Sequence, residues 1–243
     1  MVTDVTEYKQ QAAQRAVNYV KNDMVIGLGH GSTAHFALLE IAKRIREGRL
    51  KNIRVVPCSL EVERQAQQRG IPLTTLNEHP SLDLTIDGAD EIDPHLNLIK
   101  GGGGALLREK IVAQASRREI IIADVSKLSP QLGTHRALPV EVIPFGLRPE
   151  IQFIESLGAR VTLRKNADGT LFKTDQGNYI LDCHFGPMKD PATIAHLLEK
   201  RAAVVEHGLF IGIASDVIMA GPDGIQNLRR KSASKNNPET TDR

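Results

Sequence analysis

The chain has 243 residues, 41% of them hydrophobic and 25% charged, which excludes a largely disordered protein and allows one large domain or a large and a small one. Its 31 basic residues nearly balance 29 acidic ones, so no overall field draws it toward nucleic acid or an anionic membrane, and any anion must be bound locally.

The N-terminal stretch MVTDVTEYKQQAAQRAVNYVKN is polar and charged, without the apolar core of a signal peptide. No later run approaches the roughly 20 apolar residues of a spanning helix, so a cytoplasmic location is expected. From Thr6 to Val20, Ala12, Ala13, Ala16, Val17 and Val20 recur at helical spacing and predict an amphipathic helix. Met24–Gly29 reads as a buried strand that stops at glycine, and Ala34–Arg46 follows as a helix. Ile53–Pro57 and Glu61–Arg69 repeat the strand and helix, Leu82–Ile86 is a further strand, and Ala105–Ser116 a further helix before the strand Glu119–Ala123. This alternation predicts an α/β fold, a Rossmann-like parallel sheet with helices on both faces, with ligands bound beyond the carboxyl ends of the strands.

After Pro139 the order changes to strand VEVIPF, helix Pro149–Ser156, strand ARVTLR, the turn-rich NADGT, strand NYILDCHF and helix Pro191–Lys200. That order predicts a smaller ferredoxin-like α+β subdomain over residues 137–207, with residues 1–136 and 208–226 forming the larger domain. Residues 227–243 are polar and nearly free of apolar side chains, and are expected to be a disordered tail.

Four polar stretches fall at predicted strand ends. Gly27-Leu28-Gly29-His30-Gly31-Ser32-Thr33 opens a helix, where free N–H groups and the helix dipole attract an anion such as phosphate. A tight turn capped by Ser32 or Thr33 is the plainer alternative. A dinucleotide loop is disfavoured, because Ser32 occupies the third glycine position of G-x-G-x-x-G and no carboxylate closes the next strand.

Asp87-Gly88-Ala89-Asp90-Glu91 concentrates carboxylates that repel one another unless they meet cations, hydroxyls or N–H donors. A solvated acidic loop is the alternative, and neither the calcium-loop spacing nor a histidine pair supports a metal site. Lys100-Gly101-Gly102-Gly103-Gly104 is costly in backbone entropy, which points to left-handed angles or close approach to a ligand. Helical spacing puts Leu107, Ile111 and Ala115 on the core face and Glu109 two steps of 100° from Leu107, on the surface. In Ala123-Asp124-Val125-Ser126-Lys127, Lys127 either reaches the same cleft or is a solvated surface charge. Cys58 and Cys183 have no CxxC partner, which suggests neither a disulfide framework nor a zinc site.

Together, GLGHGST, DGADEID, KGGGGALLREKIVA, ADVSK, LPVEVIPF and GPDGI resemble the A-type ribose-5-phosphate isomerase family, in one order over about residues 6–225. The resemblance implies aldose–ketose isomerisation of a sugar phosphate through an enediolate, with no metal or organic cofactor and a homodimer or homotetramer. It implies that Glu109 is the proton acceptor, reversing its reading as a surface charge. It further implies substrate binding by Asp87, Gly88, Ala89 and Asp90, by Lys100, Gly101, Gly102 and Gly103, and by His30, Gly31, Ser32, Thr33 and Lys127. Lys100 with the glycine N–H groups is then expected to stabilise the enediolate oxygen, and Asp87 to shuttle a hydroxyl proton. Two residues depart from the family pattern: His30 replaces the usual threonine, and Cys58 the usual Ser or Thr. His30 donates more strongly to a phosphate when protonated, so a pH-sensitive Michaelis constant is expected. An isomerase of another phosphorylated sugar, a related acyl-CoA transferase-like activity, or a non-catalytic sugar-phosphate sensor are the alternatives, the last lacking a helix-turn-helix or basic arm.

Overall fold

The computed structural model describes residues 5–230. In chain order the elements are α1 (Val5–Val17), β1 (Val25–Leu28), α2 (Ser32–Arg46), β2 (Arg54–Pro57), α3 (Leu60–Gln68), β3 (Leu84–Asp87), β4 (Glu91–Ile92), β5 (Leu98–Ile99), α4 (Leu106–Gln114) and β6 (Glu119–Asp124). After a single turn of 3₁₀ helix come β7 (Leu138–Val142), α5 (Leu147–Ser156), β8 (Arg160–Leu163), β9 (Tyr179–His184), α6 (Pro191–Glu199), β10 (Val204–His207), β11 (Leu209–Phe210), β12 (Asp216–Gly221) and β13 (Gly224–Arg229).

The central sheet has the order β13-β12-β6-β3-β1-β2 and is parallel except for β13, which returns antiparallel to β12. Its central strands are apolar on both sides, as burial on both faces requires. Ile26, Leu28, Val55, Leu84, Ile86, Ile120, Ile122, Ile218 and Ala220 pack with α1, α2 and α3 on one face. On the opposite face Val56, Cys58, Leu82 and Val112 form one cluster, and Ile92, Leu98, Ala113, Ile121, Ala123, Phe210, Val217 and Met219 another. Full burial of each large aliphatic side chain contributes about 1.5–3 kcal/mol. The chain runs from β1 to β2 on one side and crosses to β3 on the other, so the strand order reverses between β1 and β3. Ligands bind at such a switch point.

The second sheet, β10-β7-β9-β8, is antiparallel and has the strand order of a ferredoxin-like unit, with α5 and α6 as its helices. A third, three-stranded sheet, β11-β5-β4, was not foreseen, because strands of two residues carry too little pattern to detect. Asn227 to Arg229, expected in a disordered tail, instead complete β13, where ladder hydrogen bonds substitute for the missing apolar residues. Arg230 donates to the carbonyls of Ala214 and Leu96, at 2.9 and 2.7 Å. The remainder of the expected tail, 231–243, lies outside the described residues. Among the described residues no helix is long and apolar enough to cross a membrane.

At the start of β6, Glu119 is buried on the α4 face with no donor to either carboxylate oxygen among the described residues. Burial, reinforced by the charge of Asp87, pushes its pKa well above the carboxylate range. The unfolded chain releases this proton near pH 4.3 whereas the folded chain keeps it, so this residue lowers stability as pH rises above that value. Glu119→Gln cannot ionise. Urea midpoints compared at pH 4 and pH 7 will therefore show a stability difference in favour of the variant that grows with pH, by at most about 1.4 kcal/mol per unit.

Candidate active site

The polar clusters meet at the carboxyl ends of β1, β3 and β6. His30, Gly31, Ser32 and Thr33 follow β1, Gly88, Ala89 and Asp90 follow β3, and Lys127 follows β6. These residues line one cleft together with Lys100, Gly101, Gly102, Gly103 and Glu109. Asp87 lies behind the cleft rather than in its lining, fully buried at the end of β3.

At the centre is the ammonium of Lys100, only 2% exposed. It donates to the carbonyl of Gly88 at 2.7 Å and to Glu109 Oε1 at 3.0 Å, and pairs with Asp87 Oδ2 at 2.9 Å. Two hydrogen bonds and this ion pair offset the desolvation of a buried charge. Phe210 lies beneath, its ring centroid 5.6 Å from Lys100 Nζ and 5.0 Å from Lys110 Nζ. Asp87 Oδ1 accepts from the Gly88 N–H, whereas Glu109 Oε2 is buried without a donor among the described residues.

Burial pushes the Glu109 carboxyl up; Lys100 opposes this and the charge of Asp87 adds to it. Asp87 is likewise raised by burial against the pull of Lys100. The carboxylate neighbours hold Lys100 firmly protonated against its own burial.

Glu109 is 3% exposed, which corrects the surface position that helical spacing assigned to it. The buried stripe of α4 is Leu106, Glu109, Lys110 and Ala113, joined by Val112, whereas Ile111 is 45% exposed. Spacing failed because Glu109 and Lys110 share the buried face with Leu106, Val112 and Ala113, the two charged residues held there by polar partners on other segments. Lys110 donates to Glu206 Oε1 at 2.6 Å and to the His207 carbonyl at 2.7 Å, tying α4 to β10.

Glycines let these groups approach. A Cβ on Gly27 would sit 2.4 Å from Val112 Cγ1, and one on Gly29 would sit 1.8 Å from Asp87 Oδ1 and 2.6 Å from its Cα. The Gly102 N–H donates to Asp90 Oδ2 at 2.7 Å, closing the glycine loop over the acidic one. His30 shares a 2.9 Å hydrogen bond through Nδ1 with Ser59 Oγ, which also caps α3. Its ring lies against Gly103, where a Cβ would come 2.5 Å from His30 Cδ2. Cys58, the second departure from the family pattern, is fully buried with Val56, Leu82 and Val112 and takes no part in the cleft lining. Burial raises its thiol pKa. A residue missed in the sequence is Lys9 of α1, whose ammonium donates to Ser32 Oγ at 3.0 Å. Nothing local marks it, because the contact spans 23 positions. Among the described residues, no group of three or more His, Cys, Asp or Glu side chains is placed to hold a metal ion.

A buried carboxylate with one unengaged oxygen, beside a cation-bearing, glycine-lined cleft, belongs to enzymes that move protons on small anionic substrates. Comparison with known proteins narrows the class. The family model described as ribose 5-phosphate isomerase A (phosphoriboisomerase A) matches residues 54–224. Ribose-5-phosphate isomerase A of Desulfatibacillum aliphaticivorans is 56% identical over 228 residues, covering 94% of this chain and 99% of the relative. That of Chloroflexus aurantiacus is 57% identical over 226 residues, covering 93% and 95%. Among solved structures, a D-ribose-5-phosphate isomerase in complex with phospho-erythronic acid superposes with a TM-score of 0.92 at 35% identity, covering 94% of this chain and all of the other. The Plasmodium falciparum ribose 5-phosphate isomerase gives 0.90 at 40% identity, covering 93% and 99%. This chain belongs to the ribose 5-phosphate isomerase A family.

Gly29→Ala forces Asp87 and its backbone aside. Because a misplacement of about 1 Å can cost about 10²-fold, kcat of this variant will fall by at least tenfold in a steady-state assay, with the far-ultraviolet circular dichroism of the wild type retained.

Proposed function

We propose the following course for the reaction that family membership assigns to this chain, the interconversion of ribose 5-phosphate and ribulose 5-phosphate. The carrying observation is Glu109, buried with Oε1 on Lys100 and Oε2 without a donor among the described residues. In its carboxylate form Glu109 takes the proton from C2 of the open-chain aldose and returns it to C1 through an enediolate, while the C2 hydroxyl proton passes to the former aldehyde oxygen, so that C2 ends as the carbonyl and C1 as the hydroxymethyl group. As Glu109 gains the proton it loses its charge, and its hold on the Lys100 ammonium weakens just as negative charge develops on the substrate oxygen. Lys100 then turns a donor to that oxygen, together with the N–H of Gly103. Asp90 orients sugar hydroxyls. Asp87, behind the cleft, acts through Lys100 and through its charge on Glu109. The phosphate sits at the N-terminus of α2, against Gly31, Ser32 and Thr33, with Lys9 and Lys127 supplying charge and His30 a side-chain donor.

We further propose a cytoplasmic homodimer or homotetramer, as the family resemblance implies, and a division into 1–136 with 208–226 and 137–207, supported by the separate central and ferredoxin-like sheets.

The test is conversion of ribose 5-phosphate to ribulose 5-phosphate by the purified protein with EDTA present; an inactive, folded protein overturns the reading. Glu109→Gln is expected to lower kcat by about 10²–10⁴-fold with folding intact. The base must be ionised, so kcat/KM will rise with pH through the pKa of Glu109, and this acid limb will lie well above the ordinary carboxylate value of about 4.3. Asp87→Asn removes a charge that raises Glu109, and its pH profile will show the same limb displaced to lower pH. His30→Thr, which removes a contact to the anion but not the base, will change KM for ribose 5-phosphate more than kcat.

A further inference from the structure

We propose that Arg164 is a positioning residue of this site, which fixes the peptide planes of the glycine loop from the ferredoxin-like sheet. Arg164 directly follows β8 and reaches across to a different sheet. Its Nη1 donates to the carbonyls of Gly101 and Gly102, at 2.8 and 3.1 Å. Its Nε donates to Asp182 Oδ2 at 2.9 Å, and its Nη2 pairs with Asp182 Oδ1, so the fork is held from β9. The guanidinium lies 5.7 Å from the centroid of Phe172, and the Phe172 ring fills the space over Gly104, where a Cβ would be 2.4 Å from Phe172 Cζ. The same hairpin places Asp175 Oδ2 2.9 Å from the Leu60 N–H at the start of α3.

In a trans peptide the C=O and N–H lie on opposite edges of one plane. The Gly101–Gly102 peptide is therefore pinned at both ends, its carbonyl by Arg164 and its N–H by Asp90 Oδ2 at 2.7 Å. The next peptide has its carbonyl on Arg164, and its N–H, on Gly103, faces the opposite way with no acceptor among the described residues. Glycine has more backbone freedom to lose than any other residue, so a run of four needs outside bonds to hold one set of angles. Arg164 provides these bonds and leaves the Gly103 donor free for substrate. The planar guanidinium grips both oxygens of Asp182 while Nη1 serves the two carbonyls, and a lysine ammonium, a point charge, cannot reproduce that bidentate fork.

The kinetic arm of the test rests on the isomerase reading; the exchange arm does not. Hydrogen exchange of peptides covering residues 98–106, kcat and KM for ribose 5-phosphate, and thermal midpoints are to be measured for the wild type, Arg164→Met, Arg164→Lys and Asp182→Asn. Arg164→Met is expected to speed exchange in the loop but not in β6, and to lower kcat about 10- to 100-fold with a smaller change in KM. Arg164→Lys will recover only part of this loss, and Asp182→Asn, which leaves the cation but loosens it, will fall between wild type and Arg164→Met. Wild-type loop exchange, or kcat within twofold of wild type, in folded Arg164→Met overturns the proposal. If that variant does not fold, the same criterion applies to the other two. A wild type inactive on ribose 5-phosphate overturns the isomerase reading instead, and loop exchange alone then decides the role of Arg164.

Discussion

A buried ammonium organises this protein. Lys100 would be prohibitively costly in the interior without partners, and three oxygens from two segments surround it: the Asp87 carboxylate and the Gly88 carbonyl at the end of β3, and Glu109 from α4. Meeting that demand fixes the rest of the local architecture. The helix must approach the sheet closely enough for Glu109 to reach Lys100, which Gly27 permits by having no Cβ to meet Val112, while the missing Cβ of Gly29 leaves room for Asp87 on the neighbouring strand. The strand before Lys100 must be held in place, and the small sheet β11-β5-β4 does so, with the Lys100 N–H bonded to the Gly208 carbonyl at 2.9 Å.

One cation faces two carboxyl groups, with Glu119 a third carboxyl on the same face of the sheet. The imbalance sets the chemistry. Burial raises the carboxyl groups, and the charge of Asp87 raises Glu109 and Glu119 further, while Lys100 opposes the rise. A base poised in this way can accept a proton and give it back, as an aldose–ketose interconversion requires at adjacent carbons. The same arrangement is unfavourable to stability, because a buried acid raised in the folded state weakens folding as pH rises.

The ferredoxin-like sheet is more than an appendage to this centre. Glu206 and His207 of β10 receive Lys110, the residue beside Glu109, and the hairpin after β8 holds the glycine loop and the start of α3. The cleft is therefore held from both sheets, its acidic loop and the His30–Thr33 loop by the central sheet and its glycine loop and α4 partly by the other.

Much of this was legible in the sequence. Apolar runs ending at glycine or carboxylate marked β1, β3 and β6, and placed His30–Thr33, Asp87–Asp90 and Lys127 at strand ends, because strand periodicity and turn chemistry are local properties. The run of four glycines announced a loop with special angles, and Gly101 and Gly104 do have positive φ. Glu109 was not legible from spacing: its burial arises from Lys100, nine positions earlier, and from the packing of α4 against β10 and Phe210, none of which leaves a periodic trace. Cys58, a departure from the family pattern just after β2, points its side chain to the apolar face, a matter of register that its residue type does not show. Lys9 and Arg164 lie 23 and more than 60 positions from the groups they hold, so no local pattern could reveal them. The sequence alone determined the order of the longer strands and helices and the residue types at the strand ends. Which of those residues share a buried charge network, and which distant side chains hold it in place, only the tertiary structure decided, because such pairings depend on desolvation and long-range contact rather than on neighbours in the chain.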